Sequence, residues 1–269
     1  MDILEEIIAY KKKEVAERKS LFPAKLLEKS IYFSGKPVSL THYLKRKDKS
    51  GIIAEIKRKS PSKGIINKNI SIERTSIGYM QAGASALSVL TDGNYFGGSM
   101  EDLKTARKYN FCPILRKEFI IDEYQLIEAK SIGADAILLI AAALKPEEIR
   151  SLATFARSLG MEVLMEVHDE QELKNNLHEQ VNLIGVNNRN LKTFEVDINT
   201  SIKLSSQIPD NFTKVAESGI SKPETILKLR QHGFHGFLIG ETFMRSSRPE
   251  AACRRFIEVL RELENVEHA

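Results

Sequence analysis

The stretch GIIAEIKRKSPSKG, residues 51–64, decides between two folds that share one rhythm. Its first half, Ile52 to Lys57, is a short β-rich run, and its second half is a polar turn. An open, doubly wound sheet carries a glycine-rich phosphate turn after its first strand, and no GxGxxG follows here. Outward from this point, similar runs recur at Ala86 to Leu90, Pro113 to Lys117, Ala136 to Ile140, Glu162 to Val167, Leu183 to Asn187, Thr213 to Glu217 and Gly236 to Gly240. Amphipathic stretches of helical length lie between them, at Ile72 to Gln81, Ser99 to Tyr109, Asp122 to Ser131, Pro146 to Leu159, Glu170 to Leu177 and Pro223 to Gln231. Pieces such as Gln81-Ala82-Gly83, Ile132-Gly133 and His232-Gly233 read as left-handed helix ends. Eight such units close a parallel barrel, so the sequence predicts an α/β protein with a single (β/α)8, or TIM, barrel.

A minimal barrel does not require the residues ahead of the first strand. They begin with a helix whose Ile3, Leu4, Ile7, Ile8 and Val15 recur at helical spacing and must cover something apolar. The expected organisation is one domain over 1–269, with an N-terminal helical extension at 1–50 and the barrel at 51–269. With 42% hydrophobic and 28% charged residues the chain can fill a large core, which excludes a disordered or fibrous protein. The longest apolar run, Ala136 to Leu144, is short of the roughly 18 residues a membrane span needs. MDILEEIIAYKKKEVAERKS lacks a secretory pattern, so a cytoplasmic protein is expected. Cys112 and Cys253 are too few for a disulfide framework and read as reduced packing residues. The net charge of +4 is mild, and the basic runs Lys11 to Lys13 and Lys45 to Lys49 read as solvated faces. No basic stripe interleaves with aromatics and Trp is absent, so neither nucleic acid nor membrane is an expected partner.

Barrel enzymes work at the C-terminal ends of their strands. Those ends carry Glu55, Lys57, Lys117, Glu166, Asn187, Glu217 and Ser218. Alternation puts Glu55 and Lys57 on the side of Ile53, Lys117 with Leu115, Glu166 with Leu164, Asn187 with Gly185 and Glu217 with Val215. Five strands thereby aim polar groups at one mouth. A structural ion pair explains any one of them, but not the set. VAESGIS and FLIGETFM follow strands seven and eight, where barrels bind phosphate, and Gly219 and Gly240 let backbone approach an anion. Two ordinary tight turns are the alternative; a phosphorylated substrate is the expectation. Two lysines among carboxylates, without clustered His or Cys, point to proton transfer on an organic anion, with Lys117 as donor, Glu166 as acceptor, and neither metal nor redox cofactor. His168 follows strand five and His235 opens strand eight; no histidine has an i, i+4 partner or a nearby nucleophile, so surface or supporting roles are expected.

AEIKRKSPSKG, ALSVLTDGNYFGGS, PILRKEFIID, EVLMEVHDE, LIGVNNRNL, VAESGI and FLIGETFMR fall in one order and spacing from Ile53 to Arg245. In these segments the chain resembles the indole-3-glycerol phosphate synthase family. The resemblance implies a cofactor-free barrel lyase of tryptophan biosynthesis. Its substrate is then 1-(o-carboxyphenylamino)-1-deoxyribulose 5-phosphate, which loses carbon dioxide and water as the indole ring closes. By position Lys117 resembles the general acid and Glu166 the base of the dehydration. Lys57 looks like the partner of the substrate carboxylate and a second candidate acid. Glu55, Asn187, Glu217 and Ser218 resemble groups that orient the lysines and sugar hydroxyls. Ser60, Gly219, Gly240 and Glu241 resemble the phosphate side, Glu241 through its backbone N–H. Phe96, Phe119, Leu138 and Leu191 resemble the wall around the anthranilate ring, with Arg189 at its edge.

The loop KRKSPSKG, with Pro61 and Gly64, suits a mobile basic flap. Glu118 stands where the family more often has Asp; parity points it away from the mouth, so it is expected to matter little. The expected partner is a small anionic sugar phosphate, and association with other tryptophan-pathway enzymes stays open. Two alternatives remain. A related phosphate-binding barrel such as phosphoribosylanthranilate isomerase or the tryptophan synthase α-subunit is not expected to put Glu and Lys together on strand one and Lys on strand three, and Cys112 precedes strand three at the wrong end. A non-catalytic sugar-phosphate-binding barrel predicts tight anion binding without turnover.

Overall fold

In the computed structural model, which describes residues 3–267, the eight β-rich runs form one closed parallel barrel. The strands are β1 (Ile52–Ile56), β2 (Ala86–Leu90), β3 (Ile114–Lys117), β4 (Ala136–Ile140), β5 (Glu162–Val167), β6 (Leu183–Asn187), β7 (Thr213–Glu217) and β8 (Phe234–Ile239). Each pairs with its neighbours in sequence, and β1 closes the ring with both β2 and β8. Five strands have the expected bounds. β3 opens at Ile114 because Pro113 has no N–H to donate. β8 starts earlier than expected, with a register shift between Phe234 and Gly236, and gives up Gly240 to the following turn.

Alternation along the strands layers the interior. Ile53, Leu115, Leu164, Val215 and Leu238 form one apolar cluster inside the barrel. Leu40 and Leu44, from a short helix (Leu40–Leu44) in the N-terminal extension, belong to the same cluster. Gly236 admits Leu44: a Cβ there would lie 3.0 Å from Leu44 Cδ1 and 2.7 Å from Val215 Cγ2. The outer strand faces bury a second cluster against the surrounding helices.

Those helices include Ile72–Ala82, Met100–Tyr109, Glu123–Ser131, Pro146–Ser158, Glu170–Asn176 and Pro223–Arg230, each within a residue of its expected bounds. Ser71, Ser99, Asp122 and Asp169 cap their helices by accepting backbone N–H bonds, and Gly83 ends one of them at φ 102°. Asn199–Ser205 and Pro249–Glu267 add two helices that the periodicity did not single out. The first has only Ile202 and Leu204 as large apolar residues, too few to set a period. Cys112 and Cys253 are buried, and burial pushes both thiols up to about 12, as suits packing residues. Among the described residues no helix is long and apolar enough to cross a membrane.

The N-terminal helix, α1 (Ile3–Leu21), buries Ile7, Lys11 and Val15 on one stripe of spacing four. Lys11 is only 2% exposed, which corrects its reading as part of a solvated basic run. Its ammonium pairs with Asp92 at 3.0 Å and Glu118 at 3.1 Å, and with Glu14. Burial alone would lower the Lys11 pKa, but Glu118 and Asp92 outweigh it and the pKa is raised. Glu118 therefore matters more than expected: it points away from the mouth, yet it anchors α1 and accepts from Thr91 Oγ1 at 2.6 Å. Tyr124 adds a clasp, its hydroxyl donating to the carbonyls of Arg18 (3.1 Å) and Phe22 (2.8 Å).

Removing the Lys11 charge strands two buried carboxylates. Lys11→Met is expected to lower the unfolding free energy by about 3–5 kcal/mol, whereas exposed Lys12→Met changes it by less than about 0.5 kcal/mol. Urea titration of both variants measures the contrast; equal effects would contradict a buried anchor.

Candidate active site

Above the apolar interior layer, the strand ends carry charge. Lys57 lies one residue beyond β1, and its Nζ sits 2.8 Å from Glu55 Oε1. Lys117, the last residue of β3, reaches across the mouth to Glu166 Oε2 at 3.0 Å and Glu217 Oε2 at 2.5 Å. Asn187 Nδ2 donates to Glu166 Oε1 at 3.1 Å, and Ser88 Oγ donates to Glu55 Oε2 at 3.4 Å.

Two missing side chains make room for these groups. A Cβ on Gly185 would lie 2.3 Å from Glu217 Oε1, and one on Gly240 would lie 2.6 Å from Glu55 Oε1. Gly240, expected to let backbone approach an anion, is thus also a space for a carboxylate.

Charge is unevenly shared among the buried acids. Burial disfavours the Glu166 anion, but Lys117, His168 and Asn187 outweigh it and hold Glu166 well below the usual carboxylate range. Glu217 has the shared Lys117 but leaves Oε1 buried without a hydrogen-bond partner. Burial, with Glu166 and Glu55 close by, pushes it up to about 7. Burial alone would lower the Lys117 pKa; Glu217, Glu166 and Glu55 reverse this and keep the ammonium protonated. The arrangement can store a proton on Lys117 and accept one on a carboxylate a few ångströms away.

These groups open onto a cavity of about 450 Å³, a volume that suits a small metabolite. Every candidate residue from the sequence lines it, including Ser60, Leu138, Leu191, Gly219 and Glu241. Phe96 and Phe119 form one wall, their ring centroids 5.8 Å apart at 41°. At the other end Ser218 and Gly219 both adopt left-handed backbone, at φ 66° and 78°. Gly219 also sits under Val196, whose Cγ1 would lie 2.5 Å from an added Cβ. Arg189 Nη2 is 3.6 Å from Glu241 Oε2, which ties it to the Glu241 side of the cavity. The Glu241 carboxylate is further engaged by Arg245 and by Lys63 at 3.9 Å.

Several lining residues escaped the sequence reading. Ile3, Leu4 and Ile7 of α1 face the cavity, so the first part of the apolar stripe covers the site itself. Phe194 and Val196 join from the loop after β6, with Phe194 at φ 60°; nothing in the sequence signals that conformation. The KRKSPSKG turn forms a short hairpin, Lys59–Ser60 against Gly64–Ile65, with Arg58 paired to Asp102 at its base. His168 corrects the expectation that no histidine has an i, i+4 partner: its Nδ1 is 3.1 Å from Glu172 Oε2. Of the other histidines, His268 lies outside the described residues. Among the described residues no group of three or more His, Cys, Asp or Glu side chains converges as a metal site.

Fold and cavity together define an acid–base enzyme built on a (β/α)8 barrel. A family model described as indole-3-glycerol phosphate synthase matches residues 4–256. The chain is 49% identical over 259 residues to indole-3-glycerol phosphate synthase from Bacteroides thetaiotaomicron, covering 96% of this chain and 99% of that one. It is 45% identical over 257 residues to the enzyme of that name from Dechloromonas aromatica, covering 94% and 98%. The chain belongs to the indole-3-glycerol phosphate synthase family. It is a lyase of tryptophan biosynthesis that carries out the family's ring closure. Among solved structures, a mutant tryptophan synthase α-subunit from Pyrococcus furiosus superposes with a TM-score of 0.60 at 16% identity, over 80% of this chain and 100% of that one. 3-Hexulose-6-phosphate synthase from Salmonella typhimurium does so with 0.62 at 14% identity, over 78% and 98%. At such identities the likeness is one of fold alone.

Two predictions follow from the crowding. Gly185→Ala displaces the Glu217 carboxylate and should lower kcat about 100-fold in a folded protein; steady-state kinetics on the purified variant checks this. A carboxyl raised from 4.5 to about 7 lends stability that is complete below pH 4.5 and lost as pH rises through 7. The unfolding free energy of Glu217→Gln should therefore gain on wild type between pH 4.5 and 7, and a constant difference would argue against the raised carboxyl.

Proposed function

We propose that the chain converts 1-(o-carboxyphenylamino)-1-deoxyribulose 5-phosphate to indole-3-glycerol phosphate with Lys117 as general acid and Glu166 as general base. The observation that carries this reading is the Lys117 ammonium held between Glu166 and Glu217 in a cavity with aromatic walls and a pair of glycine-bearing turns. The phosphate lies against the backbone of Gly219, Gly240 and Glu241, with Ser60 beside it. The anthranilate ring stacks among Phe96, Phe119, Leu138 and Leu191. Lys57 holds the substrate carboxylate, and Arg189 joins the ring side to the phosphate side.

In the first step Lys117 gives its proton to the ribulose carbonyl oxygen as the carboxylate-bearing ring carbon bonds to the carbonyl carbon. Carbon dioxide then leaves, and the electrons of its bond restore the aromatic ring. In the last step the new hydroxyl leaves as water with a proton from a lysine, while Glu166 takes a proton from the neighbouring carbon. Lys57, paired with Glu55, is the second candidate for that acid role. Glu55, Asn187, Glu217 and Ser218 orient the lysines and the sugar hydroxyls. Lys117 starts protonated and Glu166 starts ionised, which are the states these roles require. The chain acts as one barrel domain with its N-terminal extension, in the cytoplasm, on a small anionic sugar phosphate.

The test supplies this substrate and follows indole product fluorescence. Lys117→Ala and Glu166→Gln are each expected to lower kcat by about 10²–10⁴-fold. Folded variants turning over like wild type would remove the assignment.

A further inference from the structure

Three carboxylates, Glu55, Glu166 and Glu217, are buried at the mouth, but only two ammonium groups, Lys57 and Lys117, stand among them. Glu217 is drawn toward its proton, so Glu166 is the anion of the pair that shares Lys117, and its charge is met by only a share of one ammonium. His168 faces Oε1 of Glu166, the oxygen that Lys117 leaves. It follows β5 directly, and its side chain is 12% exposed. Nε2 lies 3.3 Å from Glu166 Oε1, buried, though without the alignment of a hydrogen bond. On the opposite edge of the ring Nδ1 lies 3.1 Å from Glu172 Oε2, and the same oxygen accepts the His168 backbone N–H at 2.8 Å. A neutral imidazole has one nitrogen without a proton, which would face one of these carboxylates lone pair to lone pair; only the imidazolium turns an N–H and positive charge toward both.

We propose that His168 is a positioning residue for the ring closure: as an imidazolium clamped between Glu166 and Glu172, it fixes the Glu166 carboxylate toward Lys117 and keeps it ionised. This rests on the reading of Glu166 as the base. Glu166 is faced by Lys117 from β3, Asn187 from β6 and His168 from its own strand end, with Glu217 of β7 and Glu55 of β1 reaching it through the shared field of Lys117. His168 is faced by Glu166 and by Glu172 of the helix Glu170–Asn176. Burial alone would lower the imidazole pKa, but the two carboxylates outweigh it and raise it to about 10, so the cation persists through neutral pH. Glu172 keeps the ring in place from outside, where Lys117 cannot reach.

The test is the pH dependence of kcat on the intact protein, for wild type, His168→Asn, Glu172→Gln and Glu166→Gln, with thermal melts to establish folding. The base works only when ionised, so activity falls as pH drops through its pKa. Without the imidazolium that pKa rises, and the acid limb of the His168→Asn profile should move up by about one pH unit. Glu172→Gln retains an acceptor for the His168 N–H but removes the outer charge, so its limb should move in the same direction by less. This second variant decides the matter if His168→Asn does not fold. Folded variants with an unmoved acid limb would overturn the proposal while leaving Glu166 as the base. If Glu166→Gln itself turns over like wild type, the base assignment fails, and the role of His168 with it.

Discussion

The Lys117 ammonium, shared by Glu166 and Glu217, is the interaction on which the mouth of the barrel depends. Neither carboxylate could stay buried as an anion without it, and burial would lower the pKa of the lysine were they not there to raise it. Much of the surrounding architecture makes that triad possible. Gly185 and Gly240 withhold side chains where carboxylates must fit, and Asn187 and His168 hold Glu166 from the sides that Lys117 leaves open. The two carboxylates then diverge because their neighbours differ, one kept as an anion and the other drawn toward its proton.

β3 shows how one strand serves two purposes. Lys117 points into the mouth, while Arg116 and Glu118 on either side of it point outward into the charges beneath α1. Arg116 pairs at 3.3 Å with Glu128, which also takes Arg18 of α1, and Glu118 pairs with Lys11 at 3.1 Å. The helix docked by these pairs presents Ile3, Leu4 and Ile7 to the cavity. Lys117 and the anchor of the helix roofing it, Glu118, are thus consecutive residues, coupled by nothing more than strand alternation. The solved barrels of similar fold share the scaffold, and a scaffold alone does not define the chemistry at the strand ends.

Period-two and helical patterns make the barrel legible, and the period-two rule alone aims Glu55, Lys117, Glu166, Asn187 and Glu217 at one mouth. Interactions between distant segments were not legible. Lys11 belongs to a lysine-rich run and reads as solvated until Asp92 and Glu118 are brought against it. His168 has a carboxylate four residues on, but its contact with Glu166 needs the bend at the end of β5. Phe194 reaches the cavity through a left-handed backbone that its side chain does not favour, and no local pattern announces it. The KRKSPSKG turn has the composition of an open flap, and the pairing of Arg58 with Asp102 at its base joins residues far apart in sequence.

The most direct measurement is a crystal structure with indole-3-glycerol phosphate bound. The account predicts Lys117 Nζ within hydrogen-bonding reach of an oxygen of the sugar chain, the phosphate against the backbone of Gly219 and Gly240, and the indole ring between Phe96 and Phe119. A product bound with its phosphate away from those glycines, and with Lys117 still held by its two carboxylates alone, would contradict it.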